Sequence, residues 1–263
     1  MDNNNFKYLH LIVALLIAMG GIIMMITPFE IVQNIGSVLL VSGVYTIIDN
    51  FFLKKSLIEL VIQKVKLDRE IDSCGLVELG STLTNIDYKE LIENSENNID
   101  IIHNYGRTWT TNNFDFVKKN VLEKKCNVRV VLLNPDSLFV PALEKHYNYT
   151  TGELKKLILE MTDKWYMLKE ELEQKKQECK KKTHSRYKNK KYGNLELYYF
   201  NGQPTNSLYR LDDIIIVVNS KTSKQKSIFL PYAIYQNNGS EGMYTEYVKE
   251  INTIIEESTK VWG

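Results

Sequence analysis

Two apolar runs decide the architecture: LHLIVALLIAMGGIIMMI at residues 9–26 and IVQNIGSVLLVSGVYTIIDNFF at residues 31–52, parted only by Thr27, Pro28, Phe29 and Glu30. They hold 18 and 22 residues. At the α-helical rise they extend roughly 27 and 33 Å, enough for a hydrocarbon core of about 30 Å. Neither contains Lys or Arg, and the one acid, Asp49, lies near the end of the second. The linker reads as a helix start: Thr27 as N-cap, Pro28 at the first helical position, Glu30 where a capping box puts its acid. A cleaved signal peptide is the competing reading. It needs a basic leader, a shorter apolar stretch and a small-residue cleavage site, whereas here Lys7 alone precedes the run and no Ala-x-Ala follows. The expectation is a transmembrane hairpin over 1–53.

Working outward, Lys7 flanks the hairpin on one side and Lys54 and Lys55 on the other, while the linker holds only an acid. The positive-inside rule then puts both termini in the cytoplasm of a multi-pass protein. Residues 54–72 continue as a stalk helix with Leu57, Leu60, Val61, Ile62, Val65 and Leu67 in an apolar stripe. Packing of that helix on its own domain is the alternative. Residues 73–263 read as a cytoplasmic α/β domain. Net charge is +1, which excludes a bulk polycation that coats nucleic acid. Cys74, Cys126 and Cys179 are scattered without a C-x-x-C pair, so neither a metal site nor a disulfide framework is expected, and no cofactor. Sixteen Tyr with frequent Asn and Lys point to a low-GC bacterial source, hence the bacterial inner membrane. No internal repeat is present.

Within 73–263, Gly75 and Gly80 mark a turn region. Then come a short helix at 87–94, a strand at 98–103, a loop at 104–113, a helix at 114–125 and a β-branched strand at 127–133. A long helix with Gly152 near its start runs to about residue 180. Strands at 195–200, 207–211, 214–219 and 227–230 and a helix at 244–258 complete the pattern. Alternating strands and helices predict a mostly parallel or mixed sheet.

The succession IDIIHNYGRTW, an amphipathic helix, VRVVLLNPDS, a long helix and LYRLDDIIIVVNS resembles the phospholipase-D-like fold across 98–235. It is most similar to the degenerate copies in bacterial immune proteins. Catalytic members carry H-x-K, whose His attacks phosphorus. Here His10, His103, His146 and His184 each lack a Lys two positions later. The resemblance therefore implies a fold without its usual nucleophile, and no catalytic residue is expected. With the hairpin, the architecture resembles two-transmembrane antiphage effectors such as that of the Hailong system. That implies an oligomeric channel or pore gated by an oligonucleotide or cyclic nucleotide, made by a partner nucleotidyltransferase. A membrane-tethered phosphodiesterase or nuclease-like enzyme, and a passive membrane scaffold, are the other readings.

Candidate ligand residues follow from position and chemistry. His103 ends a strand and Tyr105, Arg107, Thr108 and Trp109 follow its carboxyl end, where open α/β sheets bind ligands. They offer a cationic fork, hydroxyl donors and an aromatic plane. A purely structural loop, and for His103 a satisfied histidine at a strand end, are the alternatives. Asn134 sits after the next strand on the same edge and otherwise caps a turn. Arg210 points at a phosphate or pairs with Asp212, two residues on along an extended face. Lys182, Arg186 and Lys188 belong to a basic run interleaved with Tyr, which suits single-stranded nucleic acid or anionic lipid, or is solvated charge. In the second apolar run Asn34, Ser37 and Val41 share one face and either line a pore or pack against another helix. Two spans cannot enclose a water path, so a pore requires a homo-oligomer, with a tetramer favoured.

Overall fold

The computed structural model describes residues 3–49, 54–181, 192–202, 205–220, 230–239 and 241–262. Within these spans, side chains are described from residue 13 to residue 49 and from residue 56 onward. The chain divides into two compact units, Met1–Glu70 and Ile71–Gly263.

The first unit holds helices α1 (Asn3–Met25), α2 (Glu30–Ile48) and most of α3 (Lys54–Cys74). The first two pack on each other through small residues. Ala14, Ala18 and Gly21 of α1 are buried against Gly36 and Gly43 of α2. A Cβ added at Gly21 or Gly36 would strike the opposing helix's backbone, and one at Gly43 would strike Ala18 and the Ala14 carbonyl. These contacts are the reason the backbones approach so closely. The large apolar side chains point the other way: Leu16, Met19, Ile23, Ile31, Val38 and Val41 are all exposed. Among the described residues α2 is the one helix long and apolar enough to cross a membrane. The described apolar part of α1 is the shorter segment Val13–Met25.

The second unit is an eight-stranded mixed sheet in the order β1-β7-β6-β5-β2-β3-β4-β8. Its centre is parallel: β2 (Asn98–His103), β3 (Asn127–Leu133) and β4 (Asn194–Phe200). Helix α5 (Arg107–Glu123) joins the first two, and α6 (Phe139–His146) with α7 (Glu153–Lys181) joins the next. Strands β5 (Asn206–Leu211), β6 (Ile214–Asn219), β7 (Tyr232–Gln236) and β1 (Leu76–Gly80) extend one side antiparallel. On the other, β8 (Thr259–Trp262) pairs with β4. Helix α4 (Tyr88–Asn94) precedes β2, its first turn capped by Asp87, which accepts a 2.9 Å bond from the Glu90 amide.

Both faces of the parallel centre are covered, which is why VVLL at residues 130–133 is a continuous apolar run rather than an alternating one. On one face Ile99, Ile101, Val130, Leu132, Leu195 and Leu197 pack with Val117, Val121, Ile158, Trp165, Leu168 and Leu172 of α5 and α7. On the other, Ile102, Val131, Leu208, Ile215 and Val217 pack with Ile251 of α8 (Met243–Glu256).

Two sequence expectations are corrected here. Residues 107–113 are the first two turns of α5, not a loop. Strand β1 occupies the expected turn region, and β8 follows the last helix, both formed by pairing at the sheet's edges. The expected strand at 227–230 lies, but for its last residue, outside the described residues; the strand pairing with β6 is Tyr232–Gln236.

Candidate functional site

At the carboxyl end of β2 the chain turns through Gly106, which has φ of 57° and stands as the N-cap of α5. A side chain there would be strained in the left-handed region and would collide with the His103 ring beneath it. Glycine thus lets the helix begin directly over His103. The imidazole is 4% exposed and enclosed by aromatic rings. Trp109 and Tyr209 lie edge-on to it at 6.1 Å each and stack on one another at 4.8 Å, with Tyr88 edge-on to both. Burial pushes the His103 pKa down to about 3, so the ring is neutral. Neither ring nitrogen finds a hydrogen-bond partner among the described residues. His103 and Trp109 are therefore core groups: Trp109 is not open to a ligand, contrary to expectation, and His103 is the buried histidine at a strand end of the alternative reading, though without a hydrogen-bond partner among the described residues.

What remains exposed is Arg107 and Thr108, on the first turn of α5. The first intrahelical bond runs from the Thr110 amide to the Gly106 carbonyl at 2.8 Å. The amides before it lack intrahelical acceptors, as at every helix start, and carry the positive end of the dipole. Tyr105 is tied back: its hydroxyl bonds the Tyr149 hydroxyl at 2.8 Å. Asn134 caps a turn, with Oδ1 accepting from the Asp136 amide at 2.9 Å.

Arg210 lies on the opposite face of the sheet. It is the register partner of Asp100, as is Arg129. Asp100, 1% exposed at its side chain, accepts from Arg129 Nε at 2.6 Å and Nη2 at 2.9 Å, and pairs with Arg210 Nη1 at 3.2 Å. Arg129 also donates to Asn252 Oδ1 on α8 at 3.2 Å. The hydrogen bond to Asp100 raises the Arg129 pKa further. Asp212, the expected partner of Arg210, has φ of 50° and instead accepts from the Glu96, Asn97 and Asn98 amides at 2.7–3.0 Å. One buried carboxylate between two guanidiniums thus clamps β2, β3, β5 and α8 together. Sequence reading missed Asp100 and Arg129. Their signal was a lone charge in the middle of each apolar strand.

Beside this clamp, at the carboxyl end of β2, lies a pocket of about 390 Å³. Its floor is Ile102, Leu208 and Phe200, and Glu250 and Glu257 stand on its rim. The two faces of this sheet end thus differ in sign: carboxylates beside α8, and a guanidinium with a helix N-terminus at α5. Only the α5 side is suited to a phosphate. Lys182, Arg186 and Lys188 lie outside the described residues. In α2, Asn34 and Val41 are exposed on the side opposite Gly36 and Gly43, with Ser37 half-buried on the flank between; Ser37 Oγ donates to the Asn34 carbonyl at 2.8 Å. The groove there is formed by Ser37, Val38, Val41, Ser42 and Tyr45.

No family model matches the chain, and no curated protein does. Among solved structures it is similar to TrmBL2, an archaeal chromatin protein described with a novel mode of DNA binding. The identity is 12%, over 87% of this chain and 70% of that one, with a TM-score of 0.40. It is similar to NucT from Helicobacter pylori at 9% identity, over 65% and 87% of the two chains, with a TM-score of 0.34. It is also similar to Nuc, a phospholipase D family member from Salmonella typhimurium, at 6% identity over 71% and 97%, with a TM-score of 0.36. At such identities and scores these likenesses assign neither activity nor partner.

Proposed function

We propose that the protein is a membrane-anchored effector. A two-helix hairpin crosses the bilayer, and a degenerate phospholipase-D-like α/β domain on the cytoplasmic side binds an oligonucleotide or cyclic nucleotide. The single observation that carries this reading is the inverted packing of α1 on α2. Small residues fill the contact and bulky apolar ones face outward. Water would penalise that surface at about 25 cal/mol per Å², whereas lipid chains solvate it. The ligand end of the proposal rests on Arg107, Thr108 and the α5 amides, an anion-binding combination beside a carboxyl edge.

In this reading a homo-oligomer places the Asn34–Ser37–Val41 face of α2 around a water path, and ligand binding shifts the balance between closed and open states. A ligand gates only by binding those states unequally. Binding of a short oligonucleotide to the purified protein should weaken as salt rises, and Arg107→Ala should weaken it by about 1.5–3 kcal/mol. Unchanged binding in Arg107→Ala would move the site off α5. Hydrolysis of a phosphodiester by the same preparation would replace the effector reading with a membrane-tethered enzyme. In that case a group other than His103, sealed under Gly106, must attack phosphorus.

A further inference from the structure

Every residue from Ser56 to Glu70 of α3 is exposed. Seven of them are large and apolar: Leu57, Ile58, Leu60, Val61, Ile62, Val65 and Leu67. Four of the seven are β-branched Ile or Val, which lower helix propensity. A helix of this composition is marginal by itself, because helices in proteins draw most of their stability from packing an apolar face. Something must cover it in the working protein.

The width of the face says how many partners that takes. At 100° per residue the seven apolar side chains occupy an arc of about 220°, leaving Glu59, Gln63, Lys66 and Glu70 on the remaining side. In heptad terms Leu57 falls at d, Val61 at a, Ile62 at b, Ile58 and Val65 at e, and Leu60 and Leu67 at g. A two-stranded seam covers a and d and leaves e and g to charged residues. Here e and g are apolar, so each helix needs a neighbour on both flanks.

The same face carries three charges, Lys64 at d, Asp68 at the next a and Arg69 at the following b. In parallel, in-register copies, consecutive d and a layers are adjacent, so Lys64 of one copy meets Asp68 of the next. That match commits the face to further copies of this chain rather than to lipid or to an unrelated partner. Closed cyclic symmetry supplies two neighbours to every copy.

We propose that α3 is the assembly element of the protein, packing in parallel against two neighbouring copies in a bundle of three or more. This rests on the membrane-anchored reading only for the parallel alignment, which a common anchor imposes.

The test is crosslinking of the full chain in membranes, with Cys74, Cys126 and Cys179 replaced by Ala. In parallel bundles a g residue meets the e residue five positions on in its neighbour. Leu60→Cys with Val65→Cys, treated with a short bis-maleimide, should therefore give a covalent ladder reaching at least three subunits. The control Glu59→Cys with Lys66→Cys, on the polar side, should stay monomeric. Dimers alone, no intermolecular product, or an equal ladder in the control would each overturn the proposal. As a second measurement, Val61→Asp with Val65→Asp should reduce the detergent-purified particle to single subunits with the thermal unfolding of the α/β domain unchanged. An intact oligomer in that variant would equally overturn it. Flotation of the same membranes separates the two readings. A floating chain without a ladder removes the α3 bundle and leaves the hairpin, and a ladder in a chain that does not float does the reverse.

Discussion

The α1–α2 pair and the α/β domain are packed by opposite rules. In the domain, Trp165, Leu132, Leu168 and Leu197 are buried and the helices show charge to the outside. In the pair, glycine and alanine are buried while Leu16 is 62% and Ile23 65% exposed. The domain follows the rule for water, where removing apolar area from solvent is the main driving force. In the proposed reading the pair follows the rule for a medium as apolar as the side chains themselves, where close backbone approach is what holds helices together. The α3 helix lies between them in sequence and follows neither rule, because its apolar arc is covered in neither way.

Substitutions that break each packing rule should differ in size. The largest effect is expected at the clamp. Asp100→Ala would leave two guanidiniums facing each other in the interior, at a cost of about 3–5 kcal/mol to the unfolding free energy of the α/β domain. Chemical denaturation of the purified protein, followed at a domain signal, measures it. A loss under about 1 kcal/mol would mean that the charges are solvated rather than structural. Next is Gly106→Ala, where both the left-handed backbone and the collision with His103 oppose a methyl group. About 1–3 kcal/mol is expected, partly recovered by a second substitution, His103→Ala, that opens the space.

A smaller effect, per pH unit, is expected from acid. His103 is held neutral, with its pKa lowered from 6.5 to about 3. Below the ordinary histidine value the unfolded chain takes up a proton that the folded chain refuses. Stability therefore falls as pH drops through that window, by at most about 1.4 kcal/mol per pH unit for the single proton. His103→Leu should flatten this part of the stability–pH curve, and an unchanged slope would show that the ring is accessible. The smallest effect belongs to the outward face of the hairpin. Leu16→Ala should change neither domain unfolding nor helix association by more than about 0.5 kcal/mol, in contrast to any buried leucine of the sheet.

Much of the domain was legible before the structure. The β-branched runs of β2 and β3 and the spacing of Tyr244, Val248, Ile251 and Ile255 in α8 state their partners through periodicity alone. The start of α5 did not show, because Thr108, Thr110 and Thr111 are weak helix formers. Burial of Trp109, Thr110 and Asn113 decides that turn instead. Strand β1 was hidden between Gly75 and Gly80, since an edge strand with Val77 and Leu79 exposed is defined by its neighbour rather than by its own pattern. The site was legible only in part. Position along the chain put Arg107 and Arg210 in one list, whereas Arg107 opens α5, which covers one face of the sheet, and strand alternation turns Arg210 to the other. Only the pairing of Tyr209 with Ile101 and of Arg210 with Asp100 fixes which face each occupies.

Residence of the hairpin in hydrocarbon is tested most directly by flotation after stripping. Membranes from cells making the full chain are washed at alkaline pH, which releases peripheral proteins, and are then floated on a density gradient without detergent. The inverted packing of α1 on α2 predicts that the chain rises with the lipid and leaves it only when detergent is added. A chain recovered intact in the aqueous fraction, monomeric and free of lipid, would contradict it.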